Sequence, residues 1–319
     1  MKTAQEPRTG HPATHYLRGL VMGSADLVPG VSGGTMALIT GIYERLVASV
    51  RGLAGLPIQL LRGNRSAVRN DVEWLLILPV LAGMATAIFL GASFIPQLLE
   101  DYPERMLALF LGMIIASIPI PWRMIERRDS RSWLLAAVGA VCAFVLAGLP
   151  SANVSDPSML IVFGAAAVAI CAMVLPGVSG SYLLLVLGMY EVTLDNVHER
   201  NIGYILVFML GAITGLGIFS RLLEWLLEHR HAATMAVLVG LMVGSTRALW
   251  PWQTEESRTL LTPSGSTSEL LIIGGCFLVG LVLVTILGSF APQKPSEAEA
   301  EAAADTATDV AAAPSQLDA

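Results

Sequence analysis

The sequence predicts an all-α integral membrane protein. It is built as an inverted repeat of a re-entrant helical hairpin, broken at Pro-Gly, followed by transmembrane helices. Three observations predict this: apolar runs long enough to cross a bilayer, a sixteen-residue motif that occurs twice, and an odd number of spans between the copies. The 319-residue chain is 54% hydrophobic and only 14% charged, where a soluble domain carries about 25% charge. Runs such as 74–99, 133–149, 202–227 and 270–290 reach or approach the roughly 20 residues that cross hydrocarbon as a helix.

Taken in order, residues 1–15 form a polar segment that lacks the short apolar core and small-residue cleavage site of a signal peptide. The first membrane repeat covers 16–131, and 132–157 supplies a connecting span and an outer loop. The second, inverted repeat covers 158–268, a final span follows at 269–291, and 292–319 is an acidic Ala-rich tail. That tail, without aromatic residues, cannot bury enough apolar surface to offset its ordering entropy and is expected to be disordered. It also carries much of the acid behind the net charge of −6.

The repeat rests on residue identities. Residues 29–44 read PGVSGGTMALITGIYE and residues 176–191 read PGVSGSYLLLVLGMYE, identical at nine of sixteen positions at an offset of 147. Downstream the offset becomes 128: Gly83 aligns with Gly211, Glu100 with Glu228, Gly112 with Gly240 and Ser117 with Ser245. The difference, 147 − 128 = 19, is the extra length of the first connection, 45–73, which is basic and partly amphipathic.

Six spans are expected, at about 74–99, 104–121, 132–149, 202–228, 232–250 and 269–290, with hairpins at 17–48 and 158–192. A hairpin leaves on the side it came from, so three spans between the motifs invert the second copy. Loop charge agrees. Eight of the nineteen Lys and Arg residues precede the first span, and Arg123, Arg127, Arg128 and Arg131 follow the second. Loop 150–157 has no basic residue, and 192–201 has Arg200 beside Asp195 and Glu199. An excess of cations on the cytoplasmic side then places both termini in the cytoplasm.

Pro29-Gly30 and Pro176-Gly177 break a helix, because proline removes a donor and glycine permits unusual backbone geometry. Within a bilayer such a break survives only inside protein or beside a wet cavity. The restarted helix is expected to present the amides of Gly33, Gly34 and Thr35 with the Ser32 and Thr35 hydroxyls, a donor set suited to an anion. Ser179, Gly180 and Ser181 form the second set, and Arg247 is a further candidate for the same anion, with snorkelling to the outer interface as the equal alternative. Small residues also serve helix packing, which is the competing reading.

Asp26 precedes the first break, and its counterpart is Met173. An intramembrane carboxylate is costly and marks function, so Asp26 is the proton-coupling candidate, with helix capping or hinge locking as the alternative. Glu44 and Glu191 close the hairpins as possible supports, with Arg45 or water as the expected partner of Glu44. Cys142, Cys171 and Cys276 lie in apolar runs and are read as buried small hydrophobes. The five histidines show no metal spacing, and no metal, cofactor or nucleic-acid partner is expected.

The string MGSADLVPGVSGGTMALITGIYE, residues 22–44, resembles the signature of the PopT-type undecaprenyl-phosphate (polyprenyl-phosphate) translocase family. The resemblance covers about residues 16–290 and includes the second motif and a Gly-Ser…Trp-Pro element at 244–251. It implies a bacterial cytoplasmic-membrane protein that flips polyprenyl phosphate for carrier-lipid recycling in wall synthesis, with the bilayer and that lipid as partners. It carries Asp26, Pro29, Gly30, Ser32, Gly33, Gly34 and Thr35 as motif positions, with Pro176, Gly177, Ser179 and Gly180 as the second set. The second copy departs from the first where Tyr182 replaces the threonine.

Two rivals belong to other classes. A polyprenyl-diphosphate phosphatase with a Pro-Gly-x-Ser-Arg-Ser motif would need a cation where Gly33-Gly34 stand, and the chain's lysines, Lys2 and Lys294, lie at its ends. A transporter for a small soluble anion fits inverted broken helices equally well. No Walker-type phosphate loop is present, so a non-enzymatic, gradient-driven carrier is the expected class.

Overall fold

The computed structural model describes residues 11–27, 32–61, 63, 71–91, 94–125, 128–150, 152, 154–254 and 258–289. Most of the polar N-terminal segment, Pro29, Gly30 and the acidic tail lie outside these residues.

The first hairpin is α1 (Pro12–Asp26) and the short α2 (Gly33–Ile39), followed by α3 (Tyr43–Leu61). Then come α4 (Trp74–Gly91), α5 (Phe94–Asp101), α6 (Pro103–Ser117), α7 (Pro119–Arg123) and α8 (Ser130–Leu146). The second hairpin is α9 (Met159–Val174) and α10 (Gly180–Val186), followed by α11 (Tyr190–His198) and α12 (Ile202–His229). The chain closes with α13 (His231–Ser245), a 3₁₀ turn (Thr246–Leu249) and α14 (Thr267–Ser289).

Among the described residues, five helical stretches are long and apolar enough to cross a membrane: Trp74–Gly91, Pro103–Arg123, Ile202–His229, His231–Leu249 and Thr267–Ile286. The apolar α8 and α9 are shorter. Phe89 is 84% exposed and Leu160 80%, and apolar side chains cover the outer faces of α4, α8, α12 and α14. Such continuous apolar surface is stable against lipid, not water. The protein is a multi-pass membrane protein.

The expected span 74–99 is corrected: its helix ends at Gly91, and α5 is a separate piece. Gln97, Glu100 and Asp101 are exposed on α5, which makes it amphipathic and suits it to the membrane surface. The expected span 132–149 is shortened to α8, whose Asp129 cap accepts from the Ser132 amide at 2.9 Å.

Both hairpins are re-entrant. At 1.5 Å per residue, α1 and α9 reach only about 22–24 Å, and the seven-residue α2 and α10 return less far still. Arg45, at the start of α3, pairs with Glu73, just before α4, so the first hairpin exits where α4 begins. At the second, the Val154 amide donates to Gly188 O at 3.3 Å and ties the two ends together.

Close helix contacts reproduce the repeat atom by atom. A Cβ added to Gly83 would run into Tyr16 O, and one added to Gly211 into Phe163 O. Tyr16 and Phe163 are 147 apart and the glycines 128 apart, the offsets found in the motifs and downstream of them. Gly112 likewise abuts Phe277 O, and Gly240 abuts Ala136 O; Gly280 abuts Leu109 O, and Gly139 approaches Val237 O. Here the offset is 141, so α8 and α14 are a further equivalent pair. These helices are exchanged: α8, from the first half, packs on α13 of the second, while α14 packs on α6 of the first.

The two motif copies occupy different surroundings. All seven residues of α2 are buried among Ile42, Ile114, Met235 and Leu238, at the centre of the main core. In α10 only Gly180 is buried. The return helix of the first motif is thus core, and that of the second is mostly half-buried.

Candidate functional site

The site forms where the two breaks meet. After α9, Gly177 adopts φ +82°, a left-handed geometry that glycine tolerates, and a Cβ there would press on the Met242 backbone at 2.7 Å. The break frees the last carbonyls of α9, which need donors inside the protein. The first motif supplies them. Ser32 Oγ donates to Met173 O at 3.1 Å, and the Tyr43 hydroxyl donates to Val174 O at 3.2 Å. In the other direction the Gly177 amide donates to Thr35 Oγ1 at 3.1 Å. A Cβ on Gly34 would lie 2.7 Å from Val174 O, so the close approach needs glycine there.

One expectation is corrected. The amides of Gly33, Gly34 and Thr35 do not stand open. The Gly33 amide donates to Asp26 Oδ1 at 2.6 Å, the Gly34 amide to Ser32 Oγ at 3.1 Å, and the Thr35 amide to Ser32 O at 2.9 Å. The carboxylate needed at the positive end of α2 comes from seven residues upstream in the same chain. Asp26 therefore caps the restarted helix, and its second oxygen, Oδ2, lies 2.6 Å from where a Gly33 Cβ would be.

A cavity of about 270 Å³ opens beside this junction. Asp26, Ser32, Ser179, Gly180 and Ser181 give it a polar wall, and Ile170, Leu184 and Phe208 contribute to an apolar one. Ser179 Oγ accepts from the Tyr182 amide at 3.3 Å and pairs with Ser181 Oγ at 3.0 Å. On the far side of Ser179 lies a smaller cavity of about 40 Å³, bordered by Gly177, Tyr182 and Ser245. Val178 and Ser179 border both, and Ser179 is the polar one of the two.

The structure separates the other candidates from this wall. Arg247 borders neither cavity; its Nη1 donates to Phe144 O at 3.2 Å, and its guanidinium lies 4.6 Å from the Phe144 ring centre. It is held there because Gly148 has no side chain to exclude it. Glu44 and Glu191 are exposed at the hairpin ends, away from the cavity. Glu44 Oε1 meets His231 Nε2 at 3.0 Å, whereas Arg45, the expected partner, is taken by Glu73. Sequence reasoning missed Tyr43, which bridges the breaks. Its only signal was identity with Tyr190, and Tyr190 is partly exposed.

The family described as undecaprenyl phosphate translocase-like matches residues 22–268, a stretch that includes both motifs and every residue of the cavity wall. The chain belongs to that family. Among curated relatives, a polyprenyl-phosphate transporter of Vibrio cholerae serotype O1 is 37% identical over 239 residues, 75% of this chain and 77% of the relative. A polyprenyl-phosphate transporter of Staphylococcus aureus is 28% identical over 254 residues, 74% of this chain and 86% of the relative. No solved structure matches.

The junction between the motifs makes a direct prediction for this family member. Thr35→Val keeps the shape of a fully buried side chain but leaves the Gly177 amide without an acceptor. A buried unsatisfied donor costs about 1–3 kcal/mol. Thermal unfolding in detergent should show Thr35→Val clearly less stable than wild type, and Thr35→Ser close to it. Equal stability of all three would mean that the bond contributes nothing.

Proposed function

We propose that this protein moves a polyprenyl phosphate across the membrane, with the phosphate held in the cavity between the two breaks and the prenyl chain left in lipid. The observation that carries the reading is the wall of Asp26, Ser32, Ser179 and Ser181, drawn from both motifs, inside an otherwise apolar cavity. The names of the two relatives supply the lipid. A bare phosphate in hydrocarbon is prohibitively costly, so hydroxyls must stand in for its water. Ser179 and Ser181, whose hydroxyls bond chiefly to one another, turn outward to the headgroup. Ser32 and Thr35 keep the break in place and act on the site through it.

Asp26 decides the energetics. Two unit charges about 4 Å apart repel by about 4 kcal/mol at an effective dielectric constant of 20. Carboxylate and phosphate share a cavity of this size when a proton enters with the headgroup. Transport is then coupled to a proton gradient, and the class is carrier, not enzyme. In a cell it would return carrier lipid, released by wall and polysaccharide assembly, to the cytoplasmic face.

The test is reconstitution in liposomes with labelled polyprenyl phosphate. Protein-dependent loss of sidedness, without conversion to polyprenol or inorganic phosphate, is the expected result. Release of inorganic phosphate from the diphosphate would instead make it a phosphatase. Movement of a soluble anion with lipid sidedness untouched would make it a small-solute carrier.

Both termini are placed in the cytoplasm, with 150–157 and 192–201 outside. Ser155→Cys and Glu199→Cys, in a background without Cys142, Cys171 and Cys276, should react with an impermeant thiol reagent on intact cells. Arg230→Cys, at the opposite end of α12, should react only after lysis. The reverse pattern overturns the orientation.

A further inference from the structure

Three ion pairs are present among the described residues, and they engage Arg45, Arg51 and His231. Neither Arg247 nor Arg258 has a carboxylate partner among those residues, and both lie by the C-terminal end of α8, where the Tyr182 hydroxyl is anchored. The Arg258 guanidinium stacks on the Tyr182 ring at 4.4 Å from its centre, and Arg247 donates to Phe144 O one turn earlier on α8. The Tyr182 hydroxyl is anchored on Leu146 O and Leu149 O, at 3.2 and 3.1 Å. Arg247 Nε is buried without a hydrogen-bond partner. Two cations at the same end of α8, one of them with an unsatisfied buried donor, call for an anion.

The surroundings narrow the anion. Arg258 is carried by a folded loop, not a loose one. Trp250 Nε1 donates to Leu261 O at 2.9 Å, Trp252 Nε1 donates to Ser264 O at 3.1 Å, and Gln253 bridges Leu260. The same loop exposes Leu260 and Leu261, so apolar surface adjoins the cations. Guanidinium forks bind phosphate through paired hydrogen bonds, and tryptophans favour the water–lipid boundary. Cations next to exposed leucines suit an amphiphile with a phosphate head and a hydrocarbon tail.

Position gives the site its role. Tyr182 and Ser179 both border the smaller cavity, and Ser179 also borders the larger one. The repeat-equivalent positions in the first half are Thr35 for Tyr182, which is fully buried, and Pro119 for Arg247. Arg247 and Tyr182 therefore have no counterpart of the same chemistry in the first half.

We infer that Arg247, Arg258 and Tyr182 form a phosphate-capture station at the mouth of the second hairpin, which receives a prenyl phosphomonoester before Ser179 passes it to the cavity between the breaks. This inference rests on the proposed lipid substrate and adds the side from which it is taken. Tyr182, which replaces the threonine of the first motif, is the residue that converts a packing position into a docking one.

The experiment uses full-length protein in nanodiscs and liposomes with labelled polyprenyl phosphate, with polyprenol and inorganic phosphate as comparison ligands. Arg258→Gln and Arg247→Gln are each expected to weaken lipid binding about tenfold, the size of one lost charge-assisted contact. Polyprenol should not bind, and millimolar inorganic phosphate should not displace the lipid. Among the described residues no hydrogen bond or ion pair of the Arg258 side chain is present, so Arg258→Gln carries the test even if Arg247→Gln, which loses the bond to Phe144, melts early. Transport in liposomes at subsaturating lipid should fall with binding and recover at high lipid concentration. Wild-type transport with both variants binding normally overturns the station and leaves the substrate standing. Displacement of the lipid by inorganic phosphate overturns the headgroup assignment. Failure of wild type to bind or move the lipid overturns the substrate itself.

Discussion

Asp26→Asn is expected to abolish gradient-driven transport while leaving a folded protein that still binds its lipid. The amide keeps an oxygen for the Gly33 N–H, so the cap on α2 survives, but the side chain no longer takes up or releases a proton. A fall of more than about tenfold in driven transport, roughly 1.4 kcal/mol or more in barrier, is the expected size. Exchange without a gradient should persist, because the charge that repels the phosphate is gone. Asp26→Ala differs: it removes the cap as well, at about 1.5–3 kcal/mol for a hydrogen bond to a charged group, and should lower stability too. Transport measured against pH in both variants separates the roles. An Asp26→Asn protein with the wild-type rate and pH profile would leave Asp26 as a cap alone.

Gly83→Ala and Gly211→Ala should each destabilise the protein by about 1–3 kcal/mol, the usual cost of forcing an extra methyl into close packing. In both cases the new methyl meets a backbone carbonyl of the neighbouring helix, which cannot swing aside as a side chain can. Gly164 and Gly274, in the interiors of α9 and α14, have nothing near a built Cβ. There alanine should be neutral, or stabilise by up to about 0.5–1 kcal/mol through helix propensity. Thermal unfolding of the four variants in one detergent gives the comparison. Equal effects at all four sites would show that the glycine crossings do not hold the helices together.

The fold class was legible because hydrocarbon thickness leaves few options for long apolar runs, and because the motif repeats in residue identity. The end of α4 at Gly91 was not, since 74–99 is nearly uncharged and only Gln97 marks α5 as a surface piece before its acidic end. The third equivalent pair was not legible either. Val138, Gly139, Val141 and Leu146 recur in α14, but such residues are common in any apolar helix. Their equivalence shows only when Gly139 and Gly280 are seen against the carbonyls of other helices.

At the site, the residue types were readable and their partners were not. Sequence patterns place Ser32 and Thr35 beside a break, yet a hydroxyl bonds whatever lies nearest in space, and here that is the other motif, more than 140 residues away. Asp26 was legible as costly and its cap was foreseeable, since an aspartate shortly before a restarted helix is a ready acceptor. Arg247 was read as a candidate for the anion from its place in the Gly-Ser…Trp-Pro element at 244–251. The 3₁₀ turn that ends α13 carries it past the cavity instead.

The exchange of α8 and α14 bears on how such a protein can move. Each half contributes its last helix to the other, as two people linking arms each lose the use of one. Swinging one half against the other as a rigid block would tear apart both crossings, where glycine lies against carbonyl at five places. The long helices are thus a single clasped frame, shared equally and shut. Outside those crossings lie the seven-residue return helix α10, in which only Gly180 is buried, and the loop that sets Arg258 over its tyrosine. A carrier made this way works less like a rocking cradle than like a lock set in a fixed wall.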